Sequence, residues 1–350
     1  MAQALDRFDF ESIPVIDVAP LRHADPPARR AVDAALGAAC RDVGFFLISG
    51  YAEAPEATRR LRQELLSFFD LPQSAKQRLA RRRYERANRN VYRGYYHPLD
   101  RMPSYKEGID LGIERDRPAS LVANDILNEP NVWPDEAALP GWRMAMCRYA
   151  ADMERLGFLL LNAIARHLGL AETWFDRVFE DGASTLRLLK YPPRPPQSVA
   201  GVEAETLCLH RGARRTVMTA AHTDSGCLTL LYQDAVGGLQ VQNAAGAWID
   251  VPPLADALVV NLGDLMQRWT GGAFRATPHR VLGDDLGGGT PRYSIPFFFE
   301  PSLDAMIGPI PGLAADAEIA ATPIRYGDYL LGKIQRFTEF RDLTSPAAPA

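Results

Sequence analysis

His222 and Asp224 stand two residues apart in AAHTDSGCLTLLYQD (220–234), at the head of an apolar, β-like run. In a strand, residues i and i+2 face the same way, so both side chains can point into one interior. One more ligand would make a set of two imidazoles and one carboxylate. That set suits non-haem Fe(II) and leaves coordination positions open. The chain has six histidines: His23, His97, His167, His210, His222 and His279. His279, in FRATPHRVL, stands just before another β-like run in the same half and is the best third ligand. Such a centre keeps a net positive charge, which favours an anionic chelator such as a 2-oxo acid, followed by dioxygen. Taken alone, the pair also reads as a turn-capping aspartate beside a histidine satisfied in a core.

A second pair supports the site reading. In RYSIPFFF, Arg292 and Ser294 are again i and i+2. Arginine offers a rigid fork for a carboxylate, and the serine hydroxyl adds a donor. A buried arginine needs an anionic partner. A dicarboxylate held by a metal at one end would supply it at the other; a protein Asp or Glu is the alternative partner.

These residues need a framework. The first half reads as mostly helical. IPVIDVAPL (13–21) is a short extended segment. Residues 28–43 carry a helical apolar stripe at Val32, Ala35, Leu36, Ala39, Cys40 and Val43. GFFLISGY (44–51) reads as a buried strand. Residues 55–69 and 74–83 read as helices, 94–139 as a long loop, and 146–168 as a long helix. The second half turns to short runs, among them TLRLLKY, TVMTAA, CLTLLYQ, GLQVQ, ALVVNL and RYSIPFFF, punctuated by Gly, Asn, Asp or Pro. That rhythm predicts a β-sandwich or barrel. YGDYLLGKIQRF (326–337) reads as a closing helix, and the tail SPAAPA as disordered.

Composition narrows the function classes. The chain has 350 residues, 47% of them hydrophobic and 23% charged, as in soluble globular proteins. Its net charge of -4 argues against a general nucleic-acid binder. No apolar stretch approaches the ~18 residues of a membrane span. MAQALDRFDFESIPVIDVAPL lacks the pattern of a secretory signal. Cys40, Cys147, Cys208 and Cys227 are scattered without a CxxC pair, so a disulfide framework is not expected and a cytoplasmic location is. The expected partner is a small-molecule substrate, with no nucleic acid, no membrane and no obligate protein partner.

The ordered motifs together resemble the isopenicillin N synthase-like family of Fe(II)/2-oxoglutarate-dependent dioxygenases. The resemblance runs through IPVIDVAPL, DVGFFLISGY, FFDLPQSAKQR, RGYYHP, YKEGIDLG, NVWPD and LPGW. It continues through LRLLKYPP, HTDSGCLTLLYQD, GGLQVQNAAGAWIDVPPLADALVVNLGDLMQRWTGG, RATPHRV and RYSIPFFFEP. It implies a mixed α and β fold: a distorted jelly-roll (double-stranded β-helix) core wrapped by helices, with a helix-rich N-terminal half. The parts expected are a supporting region over 1–180, the jelly-roll core over 181–305 and a C-terminal helical segment and tail over 306–350, all one integrated unit. The cofactor implied is Fe(II), with 2-oxoglutarate and O2 as co-substrates, and the reaction releases succinate and CO2.

Carried over residue by residue, His222, Asp224 and His279 match the iron ligands. Arg292 and Ser294 match the pair that grips the distal carboxylate of 2-oxoglutarate, and Tyr191 in KYPP matches a tyrosine that approaches the co-substrate or the substrate. Asn261 and Asp264 match the family too, although a turn role explains them. The chain has SGY (49–51) where the family often has NHG. The stretch 202–218, VEAETLCLHRGARRTVM, reads as an insertion that forms a hairpin around RGAR. On that hairpin His210 and Arg211 could meet an anionic substrate group. RLARRRYERANRNVYR (78–93), with seven arginines, reads as a solvated helix face followed by a loop, in which Arg93 could guard the entrance for a carboxylate. The alternatives are an iron oxidase that does not use 2-oxoglutarate, a jelly-roll binding protein without turnover, and a zinc hydrolase on the same ligands.

Overall fold

Apolar runs from both halves of the chain meet in one large sheet. The computed structural model describes residues 9–22, 25–115, 126–313 and 322–335. Among these, eight strands follow one another in space: β1 (Val15–Asp17), β2 (Phe45–Ser49), β11 (Leu258–Leu262), β8 (Leu228–Gln233), β13 (Arg292–Phe299), β5 (Thr185–Tyr191), β4 (Glu107–Gly112) and β3 (Gly94–Tyr96). A second sheet orders β10 (Trp248–Asp250), β9 (Leu239–Gln242), β12 (His279–Gly283), β7 (Ala213–His222) and β6 (Leu207–His210). A small pair, β14 (Met306–Ile307) and β15 (Ile324–Arg325), stands apart. Only β1 and β2 run parallel among these pairings.

The large sheet is buried on both faces, and strand alternation sorts its side chains. Leu186, Leu188, Leu230, Ile295, Phe297 and Phe299 face the helices. Leu189, Tyr191 and Val259 face the second sheet and meet Met218, Leu239, Val241 and Val281 there. The space between the sheets is the interior of the jelly roll. The first half supplies both edges of the large sheet, β1–β2 on one side and β4–β3 on the other.

The helices are α1 (Pro26–Asp42), α2 (Pro55–Leu66), α3 (Gln73–Gln77), α4 (Trp142–His167), α5 (Asp176–Phe179), α6 (Glu203–Thr206), α7 (Asp264–Trp269) and α8 (Tyr326–Ile334). α4 lies across the helical face of the large sheet. Its Trp142 is buried, stacks on Phe68 at 5.4 Å and donates its indole N–H to Leu65 O at 3.0 Å.

Three expectations need correction. The helix expected over 74–83 ends at Gln77. The loop expected over 94–139 contains β3 and β4. Their period-two signal is masked because the jelly-roll face of β4 carries Gly108 and Asp110, whereas Ile109 and Leu111 enter the helical core. The arginine-rich stretch is not a solvated helix face either: Arg81 and Arg93 are buried. The hairpin around RGAR is present, with β6 and β7 joined by Arg211 and Gly212, both at positive φ. The SPAAPA tail lies outside the described residues, as does His23.

α4 touches the sheet most closely at Gly157. A Cβ there would sit 2.6 Å from the ring of Phe299, itself fully buried and stacked on Phe179 at 4.5 Å. Gly157→Ala should therefore lower stability by about 1–3 kcal/mol, opposite in sign to the helix-propensity gain. A lower urea midpoint with an unchanged slope is the expected result; a stabilised variant would contradict this packing.

Candidate metal centre

His222 ends β7 and His279 begins β12, and the two are direct partners across that pair of strands. Their rings lie 4.3 Å apart. Each ring is oriented by a backbone carbonyl: His222 Nδ1 meets Ala220 O at 2.9 Å, and His279 Nδ1 meets Thr277 O at 3.2 Å. A carbonyl only accepts, so Nδ1 carries the proton and Nε2 keeps a free lone pair.

Asp224 lies past the end of β7, in the connection to β8, so strand alternation does not aim it. Neighbouring strands do. Its Oδ2 accepts from Thr229 Oγ1 of β8 at 2.6 Å and from Asn261 Nδ2 of β11 at 2.7 Å. Its backbone carbonyl accepts from Asp264 N at 2.8 Å. Oδ1 is left to face both histidines, 3.7 Å from each Nε2. The three ligand atoms lie within 4.8 Å of one another, the one such cluster among the described residues.

The electrostatics agree with a cation site. Burial alone would push the Asp224 carboxyl up, but the two histidines and the bonds from Asn261 and Thr229 hold it below its ordinary value. Burial, and then the neighbouring His279, push His222 down, toward the neutral form that ligates metals. Two neutral imidazoles and one ionised carboxylate oxygen, each with its other polar atom already bonded, fit Fe(II).

Arg292 and Ser294 lie on the jelly-roll face of β13, opposite Tyr191 and Leu189 of β5. Both are buried. Arg292 Nε donates to Gly237 O at 2.6 Å and Nη2 to Gln233 Oε1 at 3.3 Å, over the ring of Tyr191 at 4.9 Å. Gly237 is brought there by a turn whose next residue, Gly238, is at positive φ and has no room for a Cβ against Leu282 O. Nη1 of Arg292 is buried without a hydrogen-bond partner. An orphaned guanidinium nitrogen beside a serine hydroxyl is what a carboxylate would satisfy. Burial pushes Tyr191 up, yet Lys106, Arg292 and bonds from Thr219 and Ser294 bring it below its ordinary value, so its oxygen also faces positive charge.

A cavity of about 360 Å3 opens beside Asp224 and His222. Its wall takes Lys106, Phe298 and, from α8, Leu330 and Ile334, together with Arg81, Arg187 and Glu300, which sequence reasoning did not single out. Arg93 is not on this wall. Its guanidinium packs against Gly112 and reaches Leu127 O at 3.5 Å. Arg81, twelve residues earlier in the same basic run, occupies the wall instead. His210 and Arg211 are also elsewhere: both pair with Asp250, at 3.2 and 2.7 Å, on a separate cavity that reaches Arg292 from the hairpin side. The signal for Arg81 is the inward Asp110 of β4, which needs cationic partners and is recognisable only once β4 is seen as a strand.

Known proteins align with this architecture. Residues 183–301 match the 2OG-Fe(II) oxygenase superfamily, and residues 13–136 match the N-terminal region described as non-haem dioxygenase in morphine synthesis. The chain belongs to the 2OG-Fe(II) oxygenase superfamily. It is 36% identical over 312 residues to the 2-oxoglutarate-dependent dioxygenase citB of Monascus ruber, covering 85% of this chain and 87% of that one. It is 34% identical to the 2-oxoglutarate-Fe(II) type oxidoreductase hxnY of Emericella nidulans, covering 87% and 84%. Among solved structures, a full-length Neurospora crassa protein in complex with alpha-KG and 5-formyluracil superposes with a TM-score of 0.77 at 29% identity, over 95% of this chain and 99% of that one. A putative 2OG-Fe(II) oxygenase family protein from Caulobacter crescentus gives 0.75 at 26% identity, over 94% and 100%.

The oxygenase is thus an oxidoreductase with Fe(II) as cofactor and 2-oxoglutarate and dioxygen as co-substrates. The jelly-roll core expected from the motifs is the fold of these neighbours. The 2-oxoglutarate-independent oxidase, the non-catalytic binding protein and the zinc hydrolase are not supported. Among the described residues, no helix is long and apolar enough to cross a membrane.

Asn261 aims the carboxylate from the neighbouring strand without touching the metal position. Asn261→Ala should weaken Fe(II) binding by about 10–100-fold while leaving the fold intact. Equilibrium dialysis under anaerobic conditions measures this; unchanged affinity would show that Asp224 does not depend on that bond.

Proposed function

We propose that His222, Asp224 and His279 hold the iron, and that Arg292, Ser294 and Tyr191 bind the distal carboxylate of 2-oxoglutarate. The enzyme then oxidises a small organic molecule, by hydroxylation, in the cavity beside Asp224. The observation that carries this reading is the pairing of two features inside one jelly roll. Three free ligand atoms converge at one point, and an unpartnered Arg292 Nη1 waits at another. The solved neighbours include a Neurospora crassa protein crystallised with thymine and with 5-formyluracil, which supports a small molecule as substrate.

When bound, the iron centre supplies oxygen activation coupled to decarboxylation of 2-oxoglutarate, giving succinate and CO2. The chain's own residues do the rest. Ala220 and Thr277 fix the imidazole tautomers, and Thr229 and Asn261 fix which carboxylate oxygen faces the metal position. Arg292 orients the co-substrate by charge and geometry. Phe298, Leu330 and Ile334 line the cavity with apolar surface that excludes water. No side chain is needed as a general base. The three stretches, 1–180, 181–305 and 306–350, act as one unit, because the first completes the large sheet and the last closes the cavity.

Iron-dependent conversion of 2-oxoglutarate to succinate, measured without added substrate, tests the reading. His222→Ala and Asp224→Ala should abolish it. Arg292→Ala should raise the 2-oxoglutarate KM by about 10–100-fold, as expected for loss of a buried charge-assisted pair. Succinate release surviving in both ligand variants would overturn the metal assignment. An unchanged KM would remove the carboxylate grip.

A further inference from the structure

The cavity wall beside Asp224 carries more positive than negative charge. Alternation along β4, continued one residue before it, puts Lys106, Gly108 and Asp110 on the jelly-roll face. Arg187 of β5, directly opposite Asp110, gives it two bonds of 2.6 Å from Nε and Nη2. Arg81 adds a third, from Nη2 at 2.5 Å. One carboxylate therefore serves two guanidinium groups. Burial would push Asp110 up, but Arg187 and Arg81 hold it below its ordinary value, so it is ionised and fully engaged.

Lys106 has no such partner. It is half-buried on the same wall, and its Nζ donates to Thr219 Oγ1 at 3.3 Å. Among the described residues it forms no ion pair. Of the two carboxyls that line the cavity, Asp224 is committed to the metal position, and Glu300 is buried and pushed up to about 7 by that burial. With Asp224 set aside for the metal position, three cations (Arg81, Arg187 and Lys106) are matched by Asp110 and Glu300 alone, so positive charge is in surplus even with Glu300 ionised. A partly buried ammonium held by one neutral hydroxyl is under-satisfied. Lys106 also acts on the Tyr191 oxygen, but with Arg292 taking one carboxylate of 2-oxoglutarate and the metal position the other, neither end of 2-oxoglutarate requires the ammonium as a direct partner. Phe298, Leu330 and Ile334 supply apolar surface on the same wall, beside the hydroxyls of Ser104, Thr185 and Ser225.

We propose that Lys106 receives a carboxylate of the organic substrate, and that the substrate is accordingly a carboxylic acid whose apolar body lies against Phe298, Leu330 and Ile334. This rests on the reading of the site as an iron and 2-oxoglutarate centre. The ammonium is then a specificity determinant: it selects the anionic end and fixes how far the apolar body reaches toward the metal position. The positive field of Arg81 and Arg187 adds to the preference without requiring contact.

The test uses the anaerobic enzyme loaded with Fe(II) and saturating 2-oxoglutarate. Phenylacetate, 3-phenylpropanoate and cyclohexylacetate are each compared with their neutral primary amides, with Kd measured by ligand-observed NMR. At least one acid should bind about 10-fold or more tightly than its amide, a difference of about 1.4 kcal/mol. That preference should fall below about 3-fold in Lys106→Met and persist in Lys106→Arg, which keeps the charge. Thermal unfolding of both variants establishes that they fold. Amides that bind as well as acids, a preference that survives Lys106→Met, or failure of every acid to bind would overturn the proposal. So would a Lys106→Met variant that changes only the 2-oxoglutarate requirement, which would assign the ammonium to the co-substrate. Succinate release by the unmodified enzyme is scored separately. Its absence would count against the iron and 2-oxoglutarate reading, whereas its presence without acid preference would count against Lys106 alone.

Discussion

One carboxylate joins the two sheets. Asp224 stands two residues past the end of β7 in the smaller sheet, yet its Oδ2 is held by Thr229 and Asn261 of the larger one. With Oδ2 committed, only Oδ1 can face the two imidazoles. The cross-strand register of His222 and His279 then fixes the other two ligand atoms. A slip of one residue between β7 and β12 would turn one histidine out of the interior. The rest of the fold serves this register. β8 and β11 are central strands of the large sheet, locked from outside by the helical core.

The C-terminal helix reaches the same point from the other side. Lys333 of α8 donates to the carbonyl of Thr223, the residue between His222 and Asp224, at 3.1 Å, and pairs with Asp264. Tyr329 donates to the same Asp264 carboxylate at 2.6 Å. Asp264, in turn, bonds the backbone of Asp224. The helix that lines the cavity with Leu330 and Ile334 is thus tied to the loop that carries the ligand. Substrate closure and ligand geometry share one set of contacts. A similar tie holds the opposite wall: Arg194, fully buried, donates to the carbonyls of Met102 at 2.5 Å and Val217 at 2.7 Å, joining the 98–105 segment to β7.

Much of this was legible in the sequence, for a physical reason. The strands of the second half are buried on both faces or alternate cleanly, so TLRLLKY, CLTLLYQ, ALVVNL and RYSIPFFF stand out as β5, β8, β11 and β13. The ligand set was legible because few residue types bind iron and only six histidines exist. What escaped notice lies where the interior face is polar. β4 hides its alternation behind Gly108 and Asp110, and its buried charge pairs look like loop residues. Among seven neighbouring arginines, nothing local separates Arg81 from Arg93. The distinction comes from β4, a distant strand in the sequence, whose Asp110 captures Arg81. Asn261 looked like a turn residue because the carboxylate it orients is 37 residues earlier. The hairpin tip was found, but its His210 and Arg211 pair with Asp250 rather than with the cavity beside Asp224.

An anaerobic crystal structure of the chain soaked with Fe(II) and 2-oxoglutarate, with anomalous scattering at the iron edge, tests the centre most directly. The expected result is one iron peak within bonding distance of His222 Nε2, Asp224 Oδ1 and His279 Nε2, with the distal carboxylate of 2-oxoglutarate on Arg292 Nη1 and Ser294. Iron bound through Asp224 Oδ2, iron at a site lacking either histidine, or 2-oxoglutarate seated away from Arg292 would contradict it.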